Sequence, residues 1–168
     1  MAQRTAVIVN PQSAGGRTKA RWPQLAVALR EHLGAFEVFF TTHSGHGTAL
    51  ASTALKTGVE RIVSVGGDGT HNEVVNGFFH QGESLREGAE FAIVPTGTGG
   101  DLRRTLGLPA SPTEAIPWIG QDVREVDVGH FEYTVHSGGT RQSHFINILS
   151  CGLSGCVAHE LDQGAKAF

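Results

Sequence analysis

The segment from residue 61 to 77, which reads RIVSVGGDGTHNEVVNG, constrains the fold more than any other part of the chain. An apolar run of β-type residues leads into a turn with three glycines and one acid, Asp68, and a helix is predicted to begin at Thr70. Glycine lets the backbone turn tightly and approach a ligand, and the unpaired N–H groups at the start of a helix favour an anion. The segment therefore predicts a strand–turn–helix unit that binds phosphate, as in ATP-dependent chemistry. Asp68 lies in the turn, where a metal ion or an attacking hydroxyl could contact it.

The order of strand, loop and helix recurs through the first 122 residues. Apolar runs predict strands at 5–10, 36–40, 62–65 and 91–94. Apolar residues at helical spacing predict helices around 22–33 and 50–55, with Pro23 tolerable only in a first turn, and Pro112 marks a further helix start. This alternation predicts a three-layer α/β/α domain over 1–122, in which a mainly parallel sheet is covered by helices on both faces.

A second glycine-rich turn, PTGTGGD at 95–101, follows the fourth predicted strand. In open α/β sheets, ligands bind at the carboxyl ends of the strands, and both glycine-rich turns belong at that edge. The two turns are therefore expected to converge on one ligand.

The pattern changes after residue 122. Residues 126–135 and 144–149 resemble two antiparallel strands joined through 137–140, which is a hairpin and not another crossover. A lone hairpin is marginally stable in water. We therefore expect 123–168 to be the beginning of an incomplete β-sandwich domain.

Composition excludes several classes of protein. The chain has 168 residues, a formal charge of -3 and no basic cluster, which argues against a nucleic-acid partner. No apolar segment approaches the length of a membrane span, and Cys151 and Cys156 have neither zinc-type nor redox spacing. A cytoplasmic protein in a reducing compartment is the expectation, and its nine histidines are expected to be mostly solvated.

The glycine-rich turns also carry a family resemblance. GGDGT resembles the nucleotide loop of diacylglycerol kinases, sphingosine kinases, bacterial lipid kinases, NAD kinases and, more loosely, phosphofructokinases. PTGTGGDLRRTLGLP resembles the PxGTxNDxAR segment, followed by LGxP, of the diacylglycerol kinase catalytic-domain family, and NAD kinases do not share it. VNPQSAGGR is similar to that family's NPxSG loop, and Thr41 with Gly45-His46 to its Thr and Gly-His element. VDVG at 126–129 and Asn147 with Gly152 resemble the start of its second domain.

The resemblance implies a set of site residues. The nucleotide-binding positions are Asn10, Pro11, Ser13, Thr41, Gly66, Gly67, Asp68, Gly69, Thr70, His71, Asn72, Glu73, Gly97 and Thr98. Asp68 is the candidate catalytic residue, either through Mg²⁺ or by helping to activate the acceptor hydroxyl, and as a loop acid it is expected to add little to stability. Asp101 and Arg104 are candidates for shaping the substrate cleft.

Some of these residues have structural interpretations that stay open. Thr70 and Glu73 have the spacing of a helix capping box, and Asp101 with Arg104 could be a surface ion pair on a short helix. Gly100 stands where the family usually has Asn. This departure puts affinity or substrate choice in doubt.

The resemblance implies an ATP-dependent lipid kinase that transfers the γ-phosphoryl group to the hydroxyl of a lipid, such as diacylglycerol or a sphingoid base. Its cofactors would be ATP and Mg²⁺, and its lipid substrate would bring it transiently to a membrane surface. The alternatives are an NAD kinase-like enzyme and a catalytically silent nucleotide-binding module. The sequence leaves open whether the chain forms a homo-oligomer and whether it is active with a shortened second domain.

Overall fold

The computed structural model describes residues 3–135, 137–150, 152 and 155. Cys151 and Cys156 lie outside the described residues. The strands are β1 (Thr5–Val9), β2 (Glu37–Phe40), β3 (Arg61–Gly66), β4 (Phe79–His80), β5 (Glu83–Ser84), β6 (Glu90–Pro95), β7 (Gly129–Thr134) and β8 (Thr140–Phe145). The helices are α1 (Arg17–Leu33), α2 (His46–Lys56), α3 (Asp68–Asn76), α4 (Asp101–Thr105) and α5 (Pro112–Ala115), and a 3₁₀ turn follows at Ile116–Trp118.

The central sheet has four parallel strands in the order β2-β1-β3-β6. Each of the three neighbouring pairs is parallel, so all four carboxyl ends lie at the same edge of the sheet. This arrangement confirms the predicted parallel α/β domain.

Alternate residues of β1 pack on opposite faces of the sheet, which gives the three layers. Val7 and Val9 belong to a buried cluster with Leu25 and Leu29 of α1. Ala6 and Ile8 belong to a second buried cluster, with Ala51, Ala54 and Leu55 of α2 and Val74 of α3. Because a strand points successive side chains to opposite faces, a wholly apolar strand is what a sheet covered on both sides requires.

Three helices begin earlier than the sequence pattern predicts, and the second of them begins at His46, ahead of the predicted 50–55. The first extends from Arg17, which places Pro23 in its interior and not in its first turn. Its polar first turns carry no apolar periodicity, so the pattern could not show them. The third begins at Asp68, not at Thr70, because Gly67 takes the extended N-cap conformation with φ -103° and ψ -177°.

A short hairpin, β4 with β5, was not predicted. Its turn holds Gln81 and Gly82, both with positive φ, at 52° and 85°. Positive φ at both central residues is the geometry of the tight turns that suit hairpins, so the Gln-Gly pair was the available signal.

The antiparallel hairpin predicted near the end of the chain is confirmed, with β7 pairing with β8. β7 is shorter than the predicted 126–135, because 126–128 have no strand structure. β8 begins and ends four residues before the predicted 144–149, at Thr140–Phe145. The hairpin is a separate two-stranded sheet and packs against α3. Among the described helices, none is long and apolar enough to cross a membrane.

Candidate active site

A cleft of about 450 Å³ opens at the carboxyl edge of the parallel sheet. Seven of its lining residues are among those that the sequence predicts: Asn10, Ser13, Thr41, Gly67, Gly69, Thr70 and Glu73. They come from the segments that follow β1, β2 and β3. The volume lies within the range of small-molecule sites, which is about 300–1,000 Å³.

The two glycine-rich turns meet backbone to backbone beside this cleft. The N–H groups of Thr96 and Gly97 donate to the carbonyl of Gly66 at 2.7 and 3.1 Å. A Cβ added at Gly97 would overlap the Cα of Gly67, so the contact admits only glycine at 97. The predicted convergence of the two turns is confirmed.

A buried hydroxyl pair ties the second turn to the start of α1. Thr18 Oγ1 donates to Thr96 Oγ1 at 2.7 Å and also lies 3.2 Å from the carbonyl of Ser13. Both threonine side chains are buried. The loop after β1 is thereby fixed to the same turn as the GGDGT loop.

Asp68 joins the two turns through its carboxylate. Its Oδ2 accepts the N–H groups of Gly100 and Asp101 at 2.8 and 3.3 Å, and its Oδ1 accepts that of Leu102 at 3.2 Å. Asp68 therefore caps the start of α4, and the expectation that it adds little to stability does not fit this geometry. Burial raises the pKa of the Asp68 carboxyl, but the hydrogen bonds from Leu102, Asp101 and Gly100 outweigh burial and hold the pKa below its usual value.

Polar side chains from two loops form one wall of the cleft. Asn10 Nδ2 donates to Thr70 Oγ1 at 2.9 Å, and Ser13 Oγ lies 3.4 Å from the same hydroxyl. The N–H groups in the first turn of α3, which begins beside this wall, have no carbonyl partner within the helix. Hydroxyls, an amide and helix-terminal N–H groups together suit an anionic ligand.

Glu73 does not complete a capping box with Thr70, because α3 begins at Asp68. Its carboxylate instead accepts the N–H groups of Gly45 and Gly47, at 2.8 and 3.1 Å, at the start of α2. The backbone carbonyl of Glu73 also accepts Thr48 Oγ1 at 2.8 Å. Glu73 therefore holds the loop after β2 against α3 and fixes the opposite wall of the cleft.

His71 lies away from the cleft, so its predicted nucleotide contact does not fit the structure. It is 1% exposed, and its Nδ1 lies 2.8 Å from Ser64 Oγ on β3. Burial lowers the pKa of His71 to about 4, although the Asp68 carboxylate acts to raise it. His71 is therefore a neutral core residue, an exception among histidines that were expected to be mostly solvated.

The other predicted residues lie around the cleft without lining it. Gly66 is buried at the end of β3, Asn72 is half-buried on α3, and Thr98 is exposed. The carbonyl of Pro11 accepts the N–H of Lys19 at 3.3 Å.

Asp101 and Arg104 form a surface ion pair on α4. Arg104 Nη1 lies 2.6 Å from Asp101 Oδ1, and both side chains are more than half exposed. This is the structural alternative that the sequence left open. Exposed pairs of this kind contribute about 0–1 kcal/mol.

Four cleft residues were missed from the sequence: Gln12, Thr42, His43 and Ser44. The available signal was their position, directly after the carboxyl ends of β1 and β2, where parallel sheets bind ligands. The His43 ring stacks on His46 with centroids 4.7 Å apart, and the N–H of Thr42 donates to His46 Nδ1 at 3.2 Å. His46 therefore supports the wall of the cleft by packing.

The chemistry of the site fits Mg²⁺ only in partnership with a phosphate ligand. Among the described residues, no group of three or more His, Cys, Asp or Glu side chains could hold a metal ion. Mg²⁺ keeps several waters and is commonly bound through one or two carboxylates plus substrate phosphates. Asp68 Oδ1 accepts one backbone N–H and so keeps capacity for a further ligand.

Comparison with known proteins places this geometry in a family. The model of the "Diacylglycerol kinase catalytic domain" family matches residues 4–131. A crystal structure of a diacylglycerol kinase from Bacillus anthracis str. Sterne superposes with a TM-score of 0.65 at 29% identity, covering 77% of this chain and 44% of that chain.

Curated relatives agree with this match. "Diacylglycerol kinase" of Staphylococcus haemolyticus is 31% identical over 96% of this chain and 45% of its own length. "Probable lipid kinase YegS-like" of Stenotrophomonas maltophilia is 31% identical over 95% of this chain and 50% of its own length. The chain thus spans about half the length of the curated relatives it matches. Since the family model covers most of its residues, the chain belongs to the diacylglycerol kinase catalytic-domain family.

Proposed function

We propose that this chain supplies the nucleotide half of an ATP-dependent lipid kinase, which transfers the γ-phosphoryl group of ATP to the hydroxyl of a lipid such as diacylglycerol or a sphingoid base. The observation that carries the proposal is the junction of the two glycine-rich turns at Asp68, beside a polar cleft at the carboxyl edge of a parallel sheet. Diacylglycerol kinase and lipid kinase relatives support the lipid acceptor.

In this proposal the phosphates lie against the first turn of α3. Free N–H groups there, with the positive end of the helix dipole, would stabilise their charge. Asn10, Ser13 and Thr70 would donate from one wall of the cleft, and Thr41 and the loop held by Glu73 would border the other. Phosphoryl transfer depends mainly on positioning and charge stabilisation, which this set of groups can supply.

Asp68 is proposed to hold the phosphate loop and to face the metal, and not to act as the general base. A general base works best with a pKa near the working pH, whereas hydrogen bonds from α4 lower the pKa of Asp68. Bound Mg²⁺ would neutralise charge on the phosphates, with Asp68 Oδ1 as its ligand from this chain. In this proposal, Asp68 is both a structural cap and the acid that faces the metal.

The proposed division of the chain puts the nucleotide domain at 1–122 and the beginning of a β-rich second domain at 123–168. The lipid substrate would be presented at a membrane surface from the cytoplasmic side. Asp101 and Arg104, exposed on α4, are proposed to border the cleft that receives it.

Transfer of label from γ-labelled ATP to a panel of acceptors tests this function, with this chain joined to a complete second domain. The panel holds diacylglycerol, a sphingoid base and NAD, and we expect label on one of the lipids only in the presence of Mg²⁺. Label on NAD alone would favour the NAD kinase-like alternative. Magnesium-dependent ATP binding without label on any acceptor would favour the silent nucleotide-binding module.

A further inference from the structure

Asn76, the last residue of α3, uses every hydrogen-bonding position of its side-chain amide. Its Nδ2 donates to the carbonyls of Asn72 and His144 at 2.8 and 2.9 Å. Its Oδ1 accepts the N–H of His144 at 2.7 Å and the Oγ of Ser143 at 3.0 Å. An asparagine amide has two donors and two acceptor lone pairs, so none remains free.

Three of these four bonds go to β8, and two of them go to the backbone of one residue. The Asn76 amide donates to the carbonyl of His144 and accepts the N–H of the same residue. It therefore pairs with β8 as a residue of a neighbouring strand would. The hairpin of β7 and β8 is thereby joined to the end of α3 by a contact that fixes position and angle together.

Two further contacts lie near the same end of the hairpin. The His144 ring stacks on Phe79, with centroids 4.1 Å apart and planes 17° apart. Thr105 Oγ1 of α4 donates to Asn147 Oδ1, just beyond β8, at 2.9 Å. The hairpin region therefore touches both α3 and α4, the two helices that Asp68 joins at their other ends.

We propose that Asn76 is a positioning residue, which sets the β7–β8 hairpin at a fixed orientation to the phosphate loop. The inference rests on the proposed function, because its consequence is that the second domain presents the acceptor hydroxyl at a defined place over the bound nucleotide. The helix α3 connects the two sites, because it carries Asp68, Gly69 and Thr70 at its start and Asn76 at its end. No part of the hairpin needs to touch the nucleotide for this effect.

Amide hydrogen exchange of the chain without nucleotide tests the anchor. Asn76→Asp keeps the shape of the side chain but replaces its donors with acceptors that face two carbonyls. We expect the amides of β7 and β8 to exchange at least about tenfold faster, while those of β1 and β3 keep their protection. Unchanged exchange in the hairpin, or an equal increase throughout the chain, would overturn the proposal.

Two variants of β8 serve as graded and matched controls. Ser143→Ala removes one of the four bonds and should give a smaller increase in hairpin exchange than Asn76→Asp. Gln142→Ala removes an exposed side chain that donates a long hydrogen bond to Glu132, at 3.4 Å, and should leave exchange of the paired hairpin amides near the wild-type rate. If Gln142→Ala accelerated hairpin exchange as much as Asn76→Asp does, the hydrogen bonds of Asn76 would not be what anchors the hairpin.

Titration with ATP and Mg²⁺ tests positioning as distinct from stability. In the wild-type chain we expect nucleotide to shift the amide resonances of Ser143 and His144. In Asn76→Asp that shift should disappear, while the dissociation constant for ATP changes by less than about twofold.

Nucleotide binding to the wild-type chain without a shift at β8 would overturn the proposed link. Absence of nucleotide binding would instead contradict the proposed function, and the exchange rates would still decide whether Asn76 holds the hairpin. Nucleotide binding thus tests the proposed function, and amide exchange tests the anchoring role of Asn76 separately.

Discussion

The Oδ2 atom of Asp68 accepts the backbone N–H of Gly100 at 2.8 Å, although the two residues are 32 positions apart. Through this bond and two neighbouring ones, one carboxylate organises the start of α4. Gly67 and Gly69, on either side of Asp68 in the chain, line the cleft proposed to hold the phosphates. Removing its charge should therefore affect both stability and transfer.

Asp68→Asn should abolish phosphoryl transfer and also lower the free energy of unfolding by about 1–3 kcal/mol, because its amide nitrogen cannot accept the N–H groups that now meet a carboxylate oxygen. Urea denaturation and an assay with labelled ATP measure the two effects. Asp101→Asn, which changes an exposed acid on α4, the helix that Asp68 caps, should cost no more than about 1 kcal/mol. Full stability of Asp68→Asn would contradict the capping role.

Gly97→Ala should lower the stability of the fold, whereas Gly69→Leu should lower the affinity for ATP. The added Cβ at Gly97 overlaps the backbone of Gly67, so Gly97→Ala should separate the turns and destabilise the fold by about 1–3 kcal/mol. A Cβ at Gly69 meets nothing within 4 Å, so Gly69→Leu should fold normally and fill the cleft. Calorimetric titration with ATP and Mg²⁺ should show lost affinity in Gly69→Leu. Wild-type affinity there would mean that the nucleotide binds elsewhere.

Glu73→Gln should loosen the wall of the cleft formed by the loop after β2. Only one oxygen remains to accept the two N–H groups of Gly45 and Gly47, so the free energy of unfolding should fall by about 1–2 kcal/mol. Exchange of those two amides should accelerate more than exchange in β3. Thermal melting that matches the wild type would contradict this role for Glu73.

His71 should make the protein lose stability between pH 6.5 and about 4. Burial lowers the pKa of native His71, so over this range the unfolded chain binds a proton that the native chain does not. Stability therefore falls as the pH falls, by roughly 3 kcal/mol in total, and then levels off with respect to this group.

His71→Leu removes this titration, so denaturation curves across the same range should have a flatter dependence on pH. Some slope should remain, because burial, aided by His130, also lowers the pKa of His144. An unaltered slope in His71→Leu would contradict the assignment.

Periodic patterns and glycine positions predicted the architecture and the meeting of the two turns. The four consecutive apolar residues of β1, at 6–9, require cover on both faces of the sheet, and the order of elements leaves few topologies open. The start of α1 was missed because it is mostly polar and has no apolar period, and the hairpin β4–β5 was missed because strands of two residues are too short to show one.

The individual roles of site residues depended on tertiary partners that no local pattern reveals. Glu73 has the spacing of a capping box, yet it binds N–H groups 26 and 28 positions away. His71 lies within the phosphate motif, yet it points into the core towards Ser64. No sequence pattern indicates a role for Asn76, because two of its four partners are backbone atoms 68 positions later in the chain.

The crossing of Gly67 and Gly97 has a consequence for how this protein can vary. Main-chain atoms of Gly67 lie against Gly97, so no rotamer change or repacking nearby can absorb a larger residue at 97. A library randomised at 69 and 97 should therefore yield folded clones with many residues at the first position and glycine alone at the second. As far as folding is concerned, residues whose side chains point into the cleft could vary, whereas a residue at which the main chain contacts itself could not.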